Sequence, residues 1–211
     1  MKILILSDSL ALPRILPEKC IYEETYPALL KKEHEVHQVS IGSATSAVLL
    51  KQVHYHSSFN PDVVILQVGI VDCVPRFMSL KELNATYALG NLGKSIRYLF
   101  NKKWIRKVRK ISYIDIIEFE QNVREIQFSF NCPVLSIGII PSSQEYENVL
   151  PGVTERINMY NEILEKNYAY FINTSGLNDS GGIMSDHHHL NGKGHSLIFD
   201  KIKHLLTHIL S

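Results

Sequence analysis

The feature that most constrains this chain is an alternation. Short apolar runs, "KILIL" (2–6), "EVHQVSI" (35–41), "DVVILQV" (62–68), "PVLSIGII" (133–140) and a weaker "YAYFI" (168–172), are separated by longer amphipathic stretches. Strands covered on both faces are continuously apolar and stop at turn residues, as these runs do. The stretches between them, "YEETYPALLKKE" (22–33), "ATSAVLLKQVHYH" (44–56), "IDIIEFEQNVREIQFSF" (114–130), "TERINMYNEILEKN" (154–167) and "GHSLIFDKIKHLLTHIL" (194–210), carry apolar residues at helical spacing. That order implies an α/β chain, a parallel sheet with helices on both faces. A length of 211 residues suits one domain, 1–211, and no repeat or linker-like tract divides it.

One segment breaks the rhythm. The spacing between Leu80 and Ser112 exceeds what a simple crossover needs, and "GKSIRYLFNKKWIRKVRK" (93–110) carries Lys94, Arg97, Lys102, Lys103, Arg106, Lys107, Arg109 and Lys110 with no acid. This reads as a helical hairpin or lid inserted after the third strand, at about 84–112. Two accounts compete for it. It is a solvated helix with Trp104, Ile105 and Val108 as its buried stripe, or a basic surface for an anionic ligand or membrane-surface contact. Over the whole chain 22 basic side chains balance 21 acidic ones, which argues against a nucleic-acid partner.

Only four apolar residues lie between Lys2 and Ser7, too few for a signal peptide, and no run approaches the roughly 18 apolar residues of a membrane span. The expectation is a cytoplasmic protein. Its three cysteines, Cys20, Cys73 and Cys132, lack metal-type spacing and read as reduced thiols. The oligomeric state is not legible.

Parallel sheets bind ligands beyond the carboxyl ends of their strands, so residues just after each strand carry most weight. These are Ser7-Asp8-Ser9-Leu10, Gly42-Ser43-Ala44-Thr45, Gly69-Ile70-Val71-Asp72 and, before the last helix, "SDHHHLNGKGH" (185–195). Asp186 and His189 are three residues apart, so one turn brings the carboxylate against one imidazole nitrogen and leaves the other facing outward. An acid that fixes a histidine's tautomer is what a general base needs, although Asp and His in a loop are usually just turn chemistry.

Taken together and in this order, the Ser9 turn, the glycine after the second strand, the Gly69 turn and Asp186-x-x-His189-Leu-Asn resemble the four motif blocks of the SGNH (GDSL-type) hydrolases. The resemblance implies a flavodoxin-like three-layer α/β/α fold on a five-stranded parallel sheet, and a serine esterase needing no cofactor. It makes Ser9 the nucleophile, His189 the general base and then acid, and Asp186 the residue that orients His189. The oxyanion falls to the backbone N–H groups of Ser9 and Gly42, with Ser43 as the alternative one residue on, and the resemblance also puts Gly69 and Asp72 of the third block at the oxyanion or binding surface. The stretch "QVGIVDCVPR" (67–76) is similar to SGNH-type proteins from bacterial surface-polysaccharide gene clusters. That implies an O-acetyl ester of a carbohydrate as substrate, with acetyl transfer on the same triad as the alternative.

Two positions depart from the motif. Ser7 replaces the first glycine of Gly-Asp-Ser-Leu, and Val71 stands where Gly-x-Asn-Asp has the asparagine that donates to the oxyanion. Removing one such donor costs about 2.7–4 kcal/mol of transition-state stabilisation. Either another donor fills the place, Arg76 or Gln67, for which strand alternation also allows a helix-facing side chain, or the frame serves weakened catalysis or binding. Arg76 also has the simpler reading of a loop-anchoring ion pair.

His187-His188-His189 do not make a metal site by spacing, because neighbouring side chains diverge. Cys73 reads as a small buried residue rather than a thiol nucleophile. His195 reads as packing on the loop that presents His189, Asn191 as the cap of the last helix, and Asn161 as a polar residue behind the site.

Overall fold

The computed structural model describes residues 1–209. Five parallel strands, β1 (Lys2–Ser7), β2 (Glu35–Ser40), β3 (Val63–Gln67), β4 (Val134–Ile137) and β5 (Tyr170–Ile172), form one sheet in the order β2-β1-β3-β4-β5. The helices are α1 (Tyr26–Leu30), α2 (Ser46–His56), α3 (Ile70–Cys73), α4 (Leu80–Ala88), α5 (Gly90–Phe100), α6 (Lys103–Arg109), α7 (Ile116–Phe128), α8 (Gln144–Val149), α9 (Val153–Asn167) and α10 (Gly192–Ile209). This is the three-layer arrangement expected from the sequence. None of these helices is long and apolar enough to cross a membrane.

Strand alternation sorts the core into two layers. Leu4, Leu6, Val64 and Leu66 face Leu49 and Val53 of α2, Phe119, Val123 and Ile126 of α7, and Ile157, Tyr160 and Leu164 of α9. Ile3, Ile5, Val63 and Ile65 face Tyr26 and Leu30 of α1 and Ile198, Ile202 and Leu206 of α10. Full burial stabilises each such side chain by about 1.5–3 kcal/mol, which is why β1 from Ile3 onward and β3 carry no polar residue before their last position. The register pairs Ser7 with both Ser40 and Gln67, and Gln67 with Ile137, so β1 to β4 end level. The residues that follow therefore emerge on one rim. The chain leaves β1 for β2 on one side and returns as β3 on the other, so strand order reverses beside β1, where a crevice opens in such sheets.

Three local expectations differ from the structure. The first helical stretch is shorter than 22–33, because Pro27 sits in the first turn of α1 and residues 22–24 form a separate 3-10 turn. The insert begins at Leu80, where Ser79 and Glu82 form a capping box, and comprises the three helices α4 to α6. The pairing of Arg76 with Ile111, through a 2.8 Å hydrogen bond, closes its base. The buried stripe expected in it is wrong in two of three residues: Ile105 is 7% exposed, but Trp104 is 66% and Val108 72% exposed. Helix α6 is only two turns long and touches the body along one line, so its other apolar side chains face outward.

Candidate active site

Ser9 owes its position to Asp8. Where β1 ends, the Asp8 N–H donates to the Gln67 carbonyl (3.1 Å), and the Asp8 carboxylate accepts from the Leu10 N–H (2.9 Å). This turns the chain into a single 3-10 turn, Ser9–Ala11, with Ser9 at its start. Ser7, in place of the motif's glycine, is fully buried, and its hydroxyl lies 2.6 Å from that of Ser40 on β2. Its side chain is thus absorbed between two strand ends.

Asp186 and His189 come from a compact loop. The Met184 N–H donates to His189 O (2.8 Å) and the His187 N–H to Met184 O (3.0 Å), with His187 left-handed at φ 69°. Asp186 Oδ1 accepts the backbone N–H groups of His188 (3.3 Å) and His189 (3.1 Å), while Oδ2 lies 2.7 Å from His189 Nδ1. His189 Nε2 then lies 3.1 Å from Ser9 Oγ. Carboxylate, imidazole and hydroxyl form one hydrogen-bonded chain across 180 residues of sequence. With Nδ1 donating to the carboxylate, Nε2 is the nitrogen left to accept the Ser9 proton. Burial works to raise the pKa of Asp186, but the hydrogen bonds from the His189 ring and backbone outweigh it and hold the carboxyl well below its usual range.

The nitrogen atoms for an oxyanion come from the backbone. Ser9 and Gly42 line the same cleft, and among the described residues neither N–H meets an acceptor. Ser43 also lines it and is left-handed at φ 61°. Val71 lines the cleft as well and offers no donor from its side chain.

Gln67 does not replace that donor. It shares strand parity with Val63 and Ile65, so it faces the α1 layer, where it is 2% exposed and accepts from the Tyr26 hydroxyl (3.0 Å). Arg76 does reach the cleft, and among the described residues it has no ion pair. Its Nη2 donates to the Val71 carbonyl (3.1 Å), its guanidinium lies 4.2 Å from the Tyr113 ring centre, and its Nε is buried without a partner.

Gly69 and Asp72, expected at the oxyanion or binding surface, lie behind it. Gly69 takes φ 125° at the start of α3, and a Cβ there would meet the Ile139 side chain at 2.5 Å, so the residue makes the turn rather than lining the cleft. Asp72 is fully buried, and its Oδ1 accepts from the Ser46 N–H (2.8 Å) and hydroxyl (2.6 Å), with Asn122 donating to that hydroxyl (3.0 Å). It therefore ties the start of α2, and with it the Gly42 loop, to the Gly69 turn. Burial raises the pKa of Asp72 to about 6 against the lowering effect of Ser46.

His195 is buried, and its Nδ1 accepts from the Tyr26 N–H (3.4 Å), so it packs on α1. Burial lowers its pKa to about 4. Asn191 caps α10 by accepting from the Gly194 N–H (3.0 Å). Asn161 donates to and accepts from the Ile139 backbone, fixing the turn after β4. Cys73 is buried, and burial pushes its thiol well up, the wrong direction for a nucleophile. Asp186, His188 and His189 are the one cluster among the described residues whose candidate metal-ligand atoms lie within 4.8 Å of one another. The carboxylate and the His189 Nδ1 are already committed to each other.

The cleft has a volume of about 930 Å³. Several of its residues carry no signal in the sequence: Arg14 sits in a loop outside every motif, and Tyr113 and Tyr146 are isolated aromatics. Arg106 was visible only as one of a basic run. Leu80, Leu83 and Tyr87 of α4 form part of the wall, so the insert does reach the site.

No protein-family model matches the chain, and no curated protein matches its sequence. Solved structures do match its fold. A lipase/acylhydrolase from Enterococcus faecalis superposes with a TM-score of 0.65 at 14% identity, over 97% of this chain and 94% of its own. The psychrotrophic esterase EstA from Pseudoalteromonas sp. gives 0.61 at 18% identity, over 99% and 98%. A member of the lipolytic G-D-S-L family from Veillonella parvula gives 0.61 at 12% identity, over 98% of both. The architecture is thus that of GDSL-type acylhydrolases along nearly its whole length.

Proposed function

We propose that this protein is a serine ester hydrolase of the SGNH type. The observation that carries this reading is the unbroken chain Asp186 Oδ2···Nδ1 His189 Nε2···Oγ Ser9, at 2.7 and 3.1 Å, opening into the cleft. His189 takes the proton as Ser9 Oγ attacks the ester carbonyl, and Asp186 stabilises the imidazolium that forms. The negative charge on the former carbonyl oxygen falls to the N–H groups of Ser9 and Gly42. Collapse expels the alcohol, which takes the proton from His189 and leaves an acyl-serine; water activated by the same histidine then releases the acid.

The substrate we infer is a short acyl ester, such as O-acetyl, on a carbohydrate. Leu12, Val48, Ile70, Val71 and Val74 give small apolar surfaces for an acyl group, and Tyr87, Tyr113 and Tyr146 give aromatic faces for a sugar ring. A second reading, transfer of the acyl group to a sugar hydroxyl, draws on Leu80, Leu83 and Tyr87, because a wall over the cleft that excludes water favours another acceptor. Turnover of p-nitrophenyl acetate by the native chain and by Ser9→Ala tests the proposal. Ser9-dependent turnover supports it, equal rates refute it, and added sugar alcohols that divert the acyl group from water select transfer.

A further inference from the structure

The cleft holds an excess of positive charge that the ester chemistry does not use. Arg14, Arg76 and Arg106 line it, and its carboxylate, Asp186, is already taken up by His189 and the backbone. Arg14 Nη1 lies 3.9 Å from Asp186 Oδ2, at the limit of an ion pair. Among the described residues Arg76 and Arg106 pair with no acid at all. They are held by carbonyl and amide oxygens and by rings instead: Arg76 by Val71 O and Tyr113, and Arg106 by Pro75 O (3.0 Å), Asn101 Oδ1 and the Phe77 ring. Those contacts fix the direction of each guanidinium without neutralising it. The Nε atoms of Arg14 and Arg76 are buried and unpartnered.

Guanidinium groups do not shed their charge in proteins, so two half-buried ones on one wall repel and call for an anion. The direction of the Arg106 pKa agrees: burial first, and then the charge of Arg76, press it down. We propose that Arg76 and Arg106 form a subsite for an anionic group, phosphate or carboxylate, carried by the substrate beside its scissile ester. This deepens the esterase reading and rests on it for the placement of the ester at Ser9. Planar guanidiniums clamp such oxyanions, and Tyr113 and Tyr146, on the same wall, complete the enclosure.

Calorimetric titration of the Ser9→Ala chain, in which no turnover enters, tests the subsite independently of catalysis. The probes are glucose 1-phosphate, glucuronate and glucose. At least one charged probe is expected to bind roughly tenfold or more tighter than glucose, and to weaken as salt rises. The phosphate alone assigns a phosphorylated substrate, and the carboxylate alone an acidic sugar. Arg106→Gln and Arg76→Gln are each expected to remove the preference, whereas Lys107→Gln, on the same helix but outside the cleft, leaves it in place. Circular dichroism separates loss of the subsite from loss of the fold. Equal affinity for all three sugars, or a charged-probe preference that survives both arginine substitutions in folded protein, overturns the proposal.

Discussion

The rim of the sheet and the helical insert above it contribute to one cleft but are held in place differently. On the rim, every residue that aims a functional group is fixed through the backbone or through a buried hydrogen bond: Asp8 to Leu10, Asp72 to Ser46, Asp186 to its own loop. The insert leaves Leu89, Leu92, Tyr98, Leu99, Trp104 and Val108 exposed. It is attached by Ile105 and by Arg106 and Arg109 to the Pro75 and Phe77 carbonyls, while a half-exposed Arg109–Glu82 pair, of the kind worth at most about 1 kcal/mol, only joins α6 to α4 within it. In the proposed reading, the chemistry that needs fixed geometry sits on the rim, while recognition is shared with the loosely attached insert.

If this division holds, substitutions on the rim act on rate and those in the insert act locally. The largest effect is expected from His189→Ala, with ester turnover down by about 10⁴-fold or more and little change in melting temperature. Comparable turnover in the variant would remove the histidine from the mechanism. Next comes Val71→Asn. If a missing side-chain donor limits the rate, supplying one raises kcat by about 10- to 100-fold. An unchanged kcat would mean the backbone donors already suffice.

Gly93→Ala probes the insert. A Cβ at Gly93 would fall 1.6 Å from the Thr86 carbonyl oxygen, so α4 and α5 must part. Amide exchange over residues 80–110 is expected to quicken by roughly tenfold or more while the strands keep their protection. Loss of protection in the sheet would show that the two regions unfold together.

The smallest expected effect concerns Asp8. Burial, partly offset by the Leu10 hydrogen bond, raises its pKa from 3.8 to about 7. Between these values the folded chain keeps a proton that the unfolded chain has released, so stability falls as pH rises through this window and the full cost remains above it. Asn caps as well as Asp and does not ionise. Asp8→Asn should therefore raise the melting temperature by roughly 2–6 °C at pH 8.5 and leave it unchanged at pH 4. An equal shift at both values would point to packing instead.

The same division governs what could be read from the sequence. The strands and the Ser9, Asp186 and His189 positions are legible because each rests on local spacing or on a strand end, and the level register of β1 to β4 does the rest. The facing of Gln67 and Asp72 is not legible for one reason. Side chains at strand ends and turns can face either layer, and only the partners in space, Tyr26 and Ser46, decide which. The insert is visible as a basic run, but its burial is not, because two or three short helices can present any face to the body. Arg14 and Tyr113 reach the cleft from loops, and Tyr146 from the six-residue α8, where no periodicity marks them.

The most direct test of the central claim, that Ser9 is a nucleophile activated by His189, is labelling with a fluorophosphonate followed by peptide mapping. The expected result is a single adduct on the peptide carrying Ser9, absent in Ser9→Ala and slowed by at least about 10²-fold in His189→Ala. No adduct, an adduct at another residue, or labelling of Ser9 that proceeds unchanged without His189 would contradict it.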